Sequence, residues 1–412
     1  MFLAKIQKYS NETLPPIRNK NNYSLGLDIL MVADYSTFQG FTDISNGDVE
    51  LAEVYTHEYL RALFEQVRTI YDHMKIANQT IQLTLVDAFV TLREDDCPMM
   101  FDLNGQADDS NSTLENSTFI GSDMDRANIT ILTLSMPAAE ALEKFSHWLK
   151  RHKQLLPEHD HAVLITKYDL LSPRGDSSTQ GLANVGNICE RGDSSSVVED
   201  IGAAATAIVA AHELGHSLGA FHDGNPESKE CSSSENFLMA ATVSGTENPE
   251  LFAHSRMMSP CSVKSIEKKL RTSFANCMRK VKTSDVKTGN EAPERRRISR
   301  TPGETISLLQ QCQITFGPHY GVCPNDEYFS GFDVCRRVWC KDRSKRRNEP
   351  CETKTYFPAL DGTECGRIKL GHDIVRRTLL DLCTREIHRL ERLFFACQIM
   401  ELQATTLFLK NH

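Results

Sequence analysis

Nothing in this chain of 412 residues is apolar for long enough to cross a bilayer, so no membrane span is expected. Positive charge is also in short supply. The 46 Lys and Arg against 55 Asp and Glu leave a formal net charge of −9, which argues against nucleic acid or an anionic membrane as partner of the chain as a whole. The opening residues Met1 to Lys8 are too short and too charged for a secretory leader, so the expectation is a truncated or mature form. Close cysteine pairs are absent too. None of the 13 cysteines stands in a Cys-x-x-Cys arrangement, which points away from a reducing compartment and towards disulfides. Their odd number leaves at least one unpaired within the chain.

What is present is concentrated in one stretch. Residues 212 to 222 read His212-Glu213-Leu214-Gly215-His216-Ser217-Leu218-Gly219-Ala220-Phe221-His222. On a helix, His212 and His216 are four apart and share a face, close enough to chelate one ion. Glu213 is rotated off that pair and suits a general base acting on water. Gly219 can take the left-handed conformation that turns the chain sharply and returns His222 as third ligand. Three neutral imidazoles leave zinc its full charge and one open position, where water becomes acidic near neutral pH. The Ala-rich run from Gly202 to Leu218, with Ile208, Val209, Leu214 and Leu218, suits a helix buried on most sides.

With these residues the chain resembles the metzincin metalloproteases, and Asp223 after the third histidine resembles the reprolysin branch that includes the ADAMTS enzymes. The resemblance implies an α/β (α+β) zincin fold with a mixed twisted sheet and a buried zinc helix. It also implies that Met239, in Phe237-Leu238-Met239-Ala240, lies beneath the zinc, although a methionine there also serves as plain core filler. Leu27 to Asp34 looks like the family's first strand, His159 to Thr166 like a central strand and its entry, and Gly181-Leu182-Ala183 like the strand before the active-site helix. Further on, Cys312 to Gly317, Cys323, Cys335, Trp339-Cys340, Cys351 and Asp361 to Gly366 resemble the disintegrin-like module of ADAMTS enzymes. The pattern stops at about Arg367. Ile368 to His412 shows neither the Trp-Cys pair nor the thrombospondin repeat that would continue it. The prodomain that blocks the zinc in resembling enzymes is likewise not found.

Weaker signals surround this centre. The resemblance implies a structural calcium site at Asp28, Asp160 and Cys277, with carboxylates and a backbone carbonyl as its oxygen donors, and with the two aspartates solvated or capping as the alternative. The polar residue expected just after the last cysteine is here replaced by Met278-Arg279-Lys280. Arg174-Gly175-Asp176 and Arg191-Gly192-Asp193 are two copies of an integrin-binding tripeptide, although a Gly flanked by charges reads first as a plain surface turn. Glycosylation sequons begin at Asn11, Asn22, Asn78, Asn111, Asn116 and Asn128, and their clustering in a cysteine-rich chain favours a secreted glycoprotein. Arg295 to Arg300 holds an Arg-x-x-Arg processing pattern, or is a solvated basic linker, and Lys341 to Arg347 is a second basic run that suits acidic matrix glycans or a solvated face.

Periodicity divides the chain. Residues 1–22 read as an extended lead-in, 23–280 as the metzincin-like catalytic region, 281–304 as a basic linker, 305–367 as the cysteine-rich module and 368–412 as a divergent tail. Leu25 to Ala33 reads as an interior strand, and Leu60, Leu63, Phe64, Val67, Ile70, Tyr71 and Met74 as the buried face of a long helix. Ser135 is expected to cap a helix with Pro137 in its first turn and Leu142, Phe145 and Leu149 inward. Pro260 to Cys277 is expected as a helix with Val263, Ile266, Leu270 and Phe274 inward. The expected function is a secreted zinc endopeptidase of extracellular matrix or plasma proteins. The alternative is a non-catalytic adhesion ligand that engages integrins through the Arg-Gly-Asp loops.

Overall fold

The computed structural model describes residues 23–76, 79–101, 134–190, 193–242, 245–246, 248–281, 300–324, 336–346 and 348–364. All six sequon asparagines, the linker arginines 295–297, Cys335 and everything beyond residue 364 lie outside them.

The chain enters on strand β1 (Tyr23–Ala33), followed by helices α1 (Tyr35–Ile44) and α2 (Val49–Asp72). Asp34 caps α1 by accepting from Thr37 N–H at 2.9 Å, and Asp48 caps α2 from Leu51 N–H at 3.0 Å. Strand β2 (Gln82–Val90), the short strand β3 (Ser135–Pro137), helix α3 (Ala138–Arg151) and strands β4 (His161–Thr166) and β5 (Asp169–Leu171) follow. Next come β6 (Gly181–Ala183), β7 (Ser195–Glu199), helix α4 (Ala203–Ser217), helices α5 (Pro249–His254) and α6 (Pro260–Leu270), and β8 (Arg279–Val281). The downstream module contributes α7 (Pro302–Thr305), α8 (Leu308–Phe316) and the hairpin β9 (Tyr320–Val322) with β10 (Cys340–Asp342).

The main sheet runs β2-β1-β4-β7-β6. Its first four strands are parallel, β6 is antiparallel at the edge, and β8 is antiparallel to the start of β1. This is the mixed α/β architecture expected. The near-continuous apolar run of β1 has a simple cause: both of its faces are buried. Leu27, Ile29 and Met31 pack with α2 and α4 in the larger core, while Leu30 and Val32 pack with Phe145, Trp148 and Leu149 of α3 in the second. Ile306, Ile314 and Leu360 of the downstream module belong to the larger core as well, so that module is packed onto the catalytic region.

Two local expectations fail for identifiable reasons. Ser135 lies in β3, paired with β5, and does not cap α3. The position before that helix is Pro137, which makes no side-chain cap, although Leu142, Phe145 and Leu149 do face inward. The helix at Pro260 stops at Leu270 and gives way to a 3-10 stretch over Ser273–Met278, so the 3.6-residue period no longer places Phe274. Phe274 is 47% exposed and lies against the Lys269 ammonium, while Ala275 turns inward in its stead. At the linker, Thr301 and Glu304 form a reciprocal capping box that starts α7 at Pro302, inside the stretch read as linker.

Four disulfides join Cys189 to Cys277, Cys231 to Cys261, Cys312 to Cys340 and Cys323 to Cys351. Among the described residues Cys97 is free, and it is buried. Burial pushes its thiol up to about 11, which makes it an inert core residue. Among these residues no helix is long and apolar enough to cross a membrane.

Candidate metal centre and cleft

Helix α4 carries the centre and is fixed at both ends. At its start, Asp200 is fully buried and accepts from Tyr59 Oη at 2.6 Å and Thr206 Oγ1 at 2.9 Å, with the Lys167 ammonium at 2.8 Å. Burial works against the Asp200 charge, but Lys167 and these donors outweigh it and hold the carboxyl below its ordinary range. Gly202, at φ +127°, sits so close to the module that a Cβ would lie 2.6 Å from Thr315 Oγ1. At its end, Gly219 N–H donates to His216 O at 2.8 Å and Ala220 N–H to Gly215 O at 2.9 Å. That is a Schellman closure, with Gly219 at φ +104° supplying the left-handed residue.

The turn brings His222 back beside the helix. The Nε2 atoms of His212, His216 and His222 form a triangle with edges of 3.1, 3.0 and 3.0 Å. His212 Nδ1 lies 2.6 Å from Leu238 O and His216 Nδ1 2.9 Å from Ala220 O. Each of those nitrogens therefore carries the proton, and the Nε2 lone pairs point inward. Lone pairs that close repel one another unless a cation lies among them, and the edges suit zinc–nitrogen bonds of about 2.0–2.1 Å. Burial is the main cause that pulls His212 down to about 3 and His216 down to about 4, and it lowers His222 too, so all three are neutral donors at physiological pH. The residues present fit zinc. Among the described residues this is the one cluster of three or more His, Cys, Asp or Glu able to hold a metal ion.

The surrounding residues place the base and the floor. Glu213 is buried, and burial pushes its carboxyl up to about 8, although a dication alongside would favour the ionised form. Met239 is fully buried beneath the chelating turn: a Cβ on Gly215 would meet its Sδ at 2.6 Å. Asp223 is buried as well. Its N–H donates to Met239 O at 2.9 Å and its carboxylate accepts from Ser259 Oγ at 2.6 Å, which ties the loop after His222 to the Met239 segment and to the start of α6.

A cleft of about 680 Å³ opens onto His212, Glu213 and His222. Ala205, Ile208 and Val209 form its apolar side along α4, and Ala240 to Thr242 lie after the Met239 turn. Edge strand β6 closes another side. Gly181 lies there so near the base that a Cβ would stand 2.8 Å from Glu213 Oε1. The remaining wall is Thr353 to Tyr356, from the downstream module, which the sequence does not foreshadow. Lys354 Nζ donates to Ile201 O at 2.8 Å and so anchors that wall to the lead-in of α4.

The chain matches the Reprolysin (M12B) family of zinc metalloproteases over residues 123–281 and ADAMTS cysteine-rich domain 2 over residues 302–372. This is a reprolysin-type, ADAMTS-like metzincin. It is 33% identical over 241 residues to "A disintegrin and metalloproteinase with thrombospondin motifs 1" of Rattus norvegicus, which covers 56% of this chain and 22% of the relative. It is 30% identical over 237 residues to the protein numbered 20 in that series from Homo sapiens, covering 57% of this chain and 11% of the relative. The matched segment thus spans between a tenth and a quarter of these relatives. Among solved structures it is similar to archaemetzincin from Methanopyrus kandleri, at 12% identity and a TM-score of 0.31, over 60% of this chain and 97% of that one.

The metzincin's other anticipated sites fare differently. Asp28 and Asp160 do come together, but the group between them is the ammonium of Lys280, at 2.8 and 2.6 Å, while the Cys277 side chain is bonded to Cys189, which leaves its backbone carbonyl untouched. Arg174-Gly175-Asp176 is an exposed tight turn, closed by Ser172 N–H to Asp176 O at 2.8 Å. Ser178 and then Ser172 hydrogen bonds hold the Asp176 carboxyl below its usual range. Arg191 and Gly192 fall outside the described residues, while Asp193 pairs with Lys150 at 2.5 Å. In the basic run at 341, Lys341 is buried on Glu349 O and Lys345 pairs with Glu352 at 2.8 Å, while Arg343 and Arg346 are exposed and Arg347 falls outside the described residues.

Proposed function

We propose that this metzincin is a secreted zinc-dependent endopeptidase that cuts extended segments of extracellular proteins. The observation that carries the reading is the triangle of inward-facing Nε2 atoms beside a buried glutamate at the mouth of a peptide-sized cleft. His212, His216 and His222 would hold zinc, which when bound polarises the scissile carbonyl and acidifies water to a pKa of about 7. Glu213 takes the proton from the attacking water and returns it to the leaving amine. Gly181 leaves the space that its carboxylate occupies. The outer edge of β6 offers main-chain donors and acceptors to an extended peptide, which would add itself as a further strand. Four disulfides and the similarity to disintegrin and metalloproteinase proteins support an extracellular setting and matrix proteins as substrates.

The test is digestion of a mixed peptide library by the purified, oxidised protein. Cleavage is expected, with loss on chelation and recovery on adding back zinc. Cleavage that persists in chelator, or none at all in protein shown to hold one zinc per chain, removes the proposal.

A further inference from the structure

We infer that the metzincin supplies its own cation at the Asp28–Asp160 position, so that Lys280 stands in for the calcium expected there and the catalytic region is held together without a divalent ion. Two carboxylates that face each other need a positive charge between them. Lys280 Nζ provides one, 2.8 Å from Asp28 Oδ2 and 2.6 Å from Asp160 Oδ2. The same Asp160 oxygen accepts the backbone N–H of Asp28 at 2.9 Å. Calcium takes six to eight oxygen ligands at about 2.3–2.6 Å. Here both inward oxygens are engaged by an ammonium, which satisfies them with hydrogen bonds and leaves no open position. An entering ion would have to displace the lysine.

The backbone is arranged for that lysine. Strand β8 pairs antiparallel with β1 and sets Lys280 opposite Ser24. Its stem then crosses Gly26, where a Cβ would lie 3.1 Å from Lys280 Cγ. Asp160 immediately precedes β4, and its N–H donates to Asp28 O at 2.7 Å, so one ammonium clasps three strands of the sheet. Partial burial works against the charge on Lys280, but the hydrogen bonds to Asp160 and Asp28 outweigh it and raise the ammonium above its ordinary value. The clasp is therefore charged across the physiological range. Cys277, three residues earlier, anchors the same segment covalently to Cys189.

The experiment is thermal unfolding of the full, oxidised, zinc-loaded chain in calcium-free buffer and with CaCl2 up to about 10 mM, above the range of weak extracellular calcium sites, with MgCl2 as control. The wild type should show the same Tm throughout. Lys280→Ala should lower the calcium-free Tm by about 2–4 °C, the shift expected for a modest loss in a region of this size. Should the alanine variant fail to fold, Lys280→Met keeps the stem over Gly26 and removes only the charge. A saturable rise of the wild-type Tm with calcium but not magnesium, or a Lys280 variant as stable as the wild type, overturns the inference. Neither readout depends on peptidase activity.

Discussion

Two places in this metzincin gather groups that want a cation, and they solve the problem in opposite ways. At the histidine triangle all three donors are neutral, so an ion placed there keeps its charge and can act on a substrate. At Asp28 and Asp160 the donors are anions and the cation belongs to the chain, so the charges cancel against a fixed partner. The contrast separates catalytic from structural use: reactivity needs an unneutralised, exchangeable ion with a vacant coordination position, whereas a clasp needs only charge balance. The two places are also linked. Gly186 and Ile188 donate to His216 O and Ser217 O at 2.8 and 3.0 Å, and the adjacent Cys189 is bonded to Cys277 on the segment that carries Lys280.

Changing the base tests one side of this contrast most severely. Glu213→Gln should cut kcat by about 10²–10⁴-fold while zinc content and Tm stay unchanged, read by peptide turnover, elemental analysis and thermal unfolding. If Tm fell with activity, the catalytic end would be carrying stability and the contrast would fail. Severing the link should do the reverse: Cys189→Ser with Cys277→Ser is expected to cost about 2–5 kcal/mol of unfolding free energy in a denaturant titration.

Acid should act through a buried base on the strand that starts at the clasp. His161 is fully buried between Ser194 Oγ and Ser196 Oγ, and burial, with a smaller contribution from His159, pulls it down to about 3. Its folded value lies below its unfolded one, so its contribution to stability is complete above about pH 6.5 and is lost progressively as pH falls towards 3. At pH 4.5 the loss should be roughly 2–3 kcal/mol relative to neutral pH. A His161→Asn variant should show that much less acid sensitivity in denaturant titrations at both pH values. The smallest effect is expected at the cleft wall. Lys354→Ala should raise KM a few-fold and leave kcat nearly intact, because the wall positions peptide without touching the reacting atoms.

The catalytic centre was legible in the sequence because all of it is local. Eleven consecutive residues on one helix and its closing turn set the ligands, the base and the glycine, and short-range geometry needs no tertiary knowledge. The sheet was readable for a similar reason, since strands buried on both faces announce themselves as apolar runs. What escaped depends on distance. Lys280 was visible as a departure from the expected polar residue, yet only pairing across 252 positions puts its ammonium on Asp28. The Thr353 to Tyr356 wall carries no motif, and its position follows from packing of the module against α4. Phe274 is misplaced because a helical period was extended past the point where the backbone leaves the helix, and Ser135 because a capping signal before Pro137 is taken up by the short strand β3.

The module's grip on its neighbour bears on what proteolysis between them would accomplish. Asp361 N–H donates to Gln66 Oε1 at 2.9 Å, Arg256 pairs with Asp361 at 2.6 Å, and Lys167 Nζ reaches Ile314 O at 2.8 Å, with no disulfide crossing between the two parts among the described residues. A convertase cutting after Arg300 would therefore yield two polypeptides that still travel as one particle. Such a nick would loosen the tether without dismantling the cleft, and only denaturant would reveal that the chain had been cut.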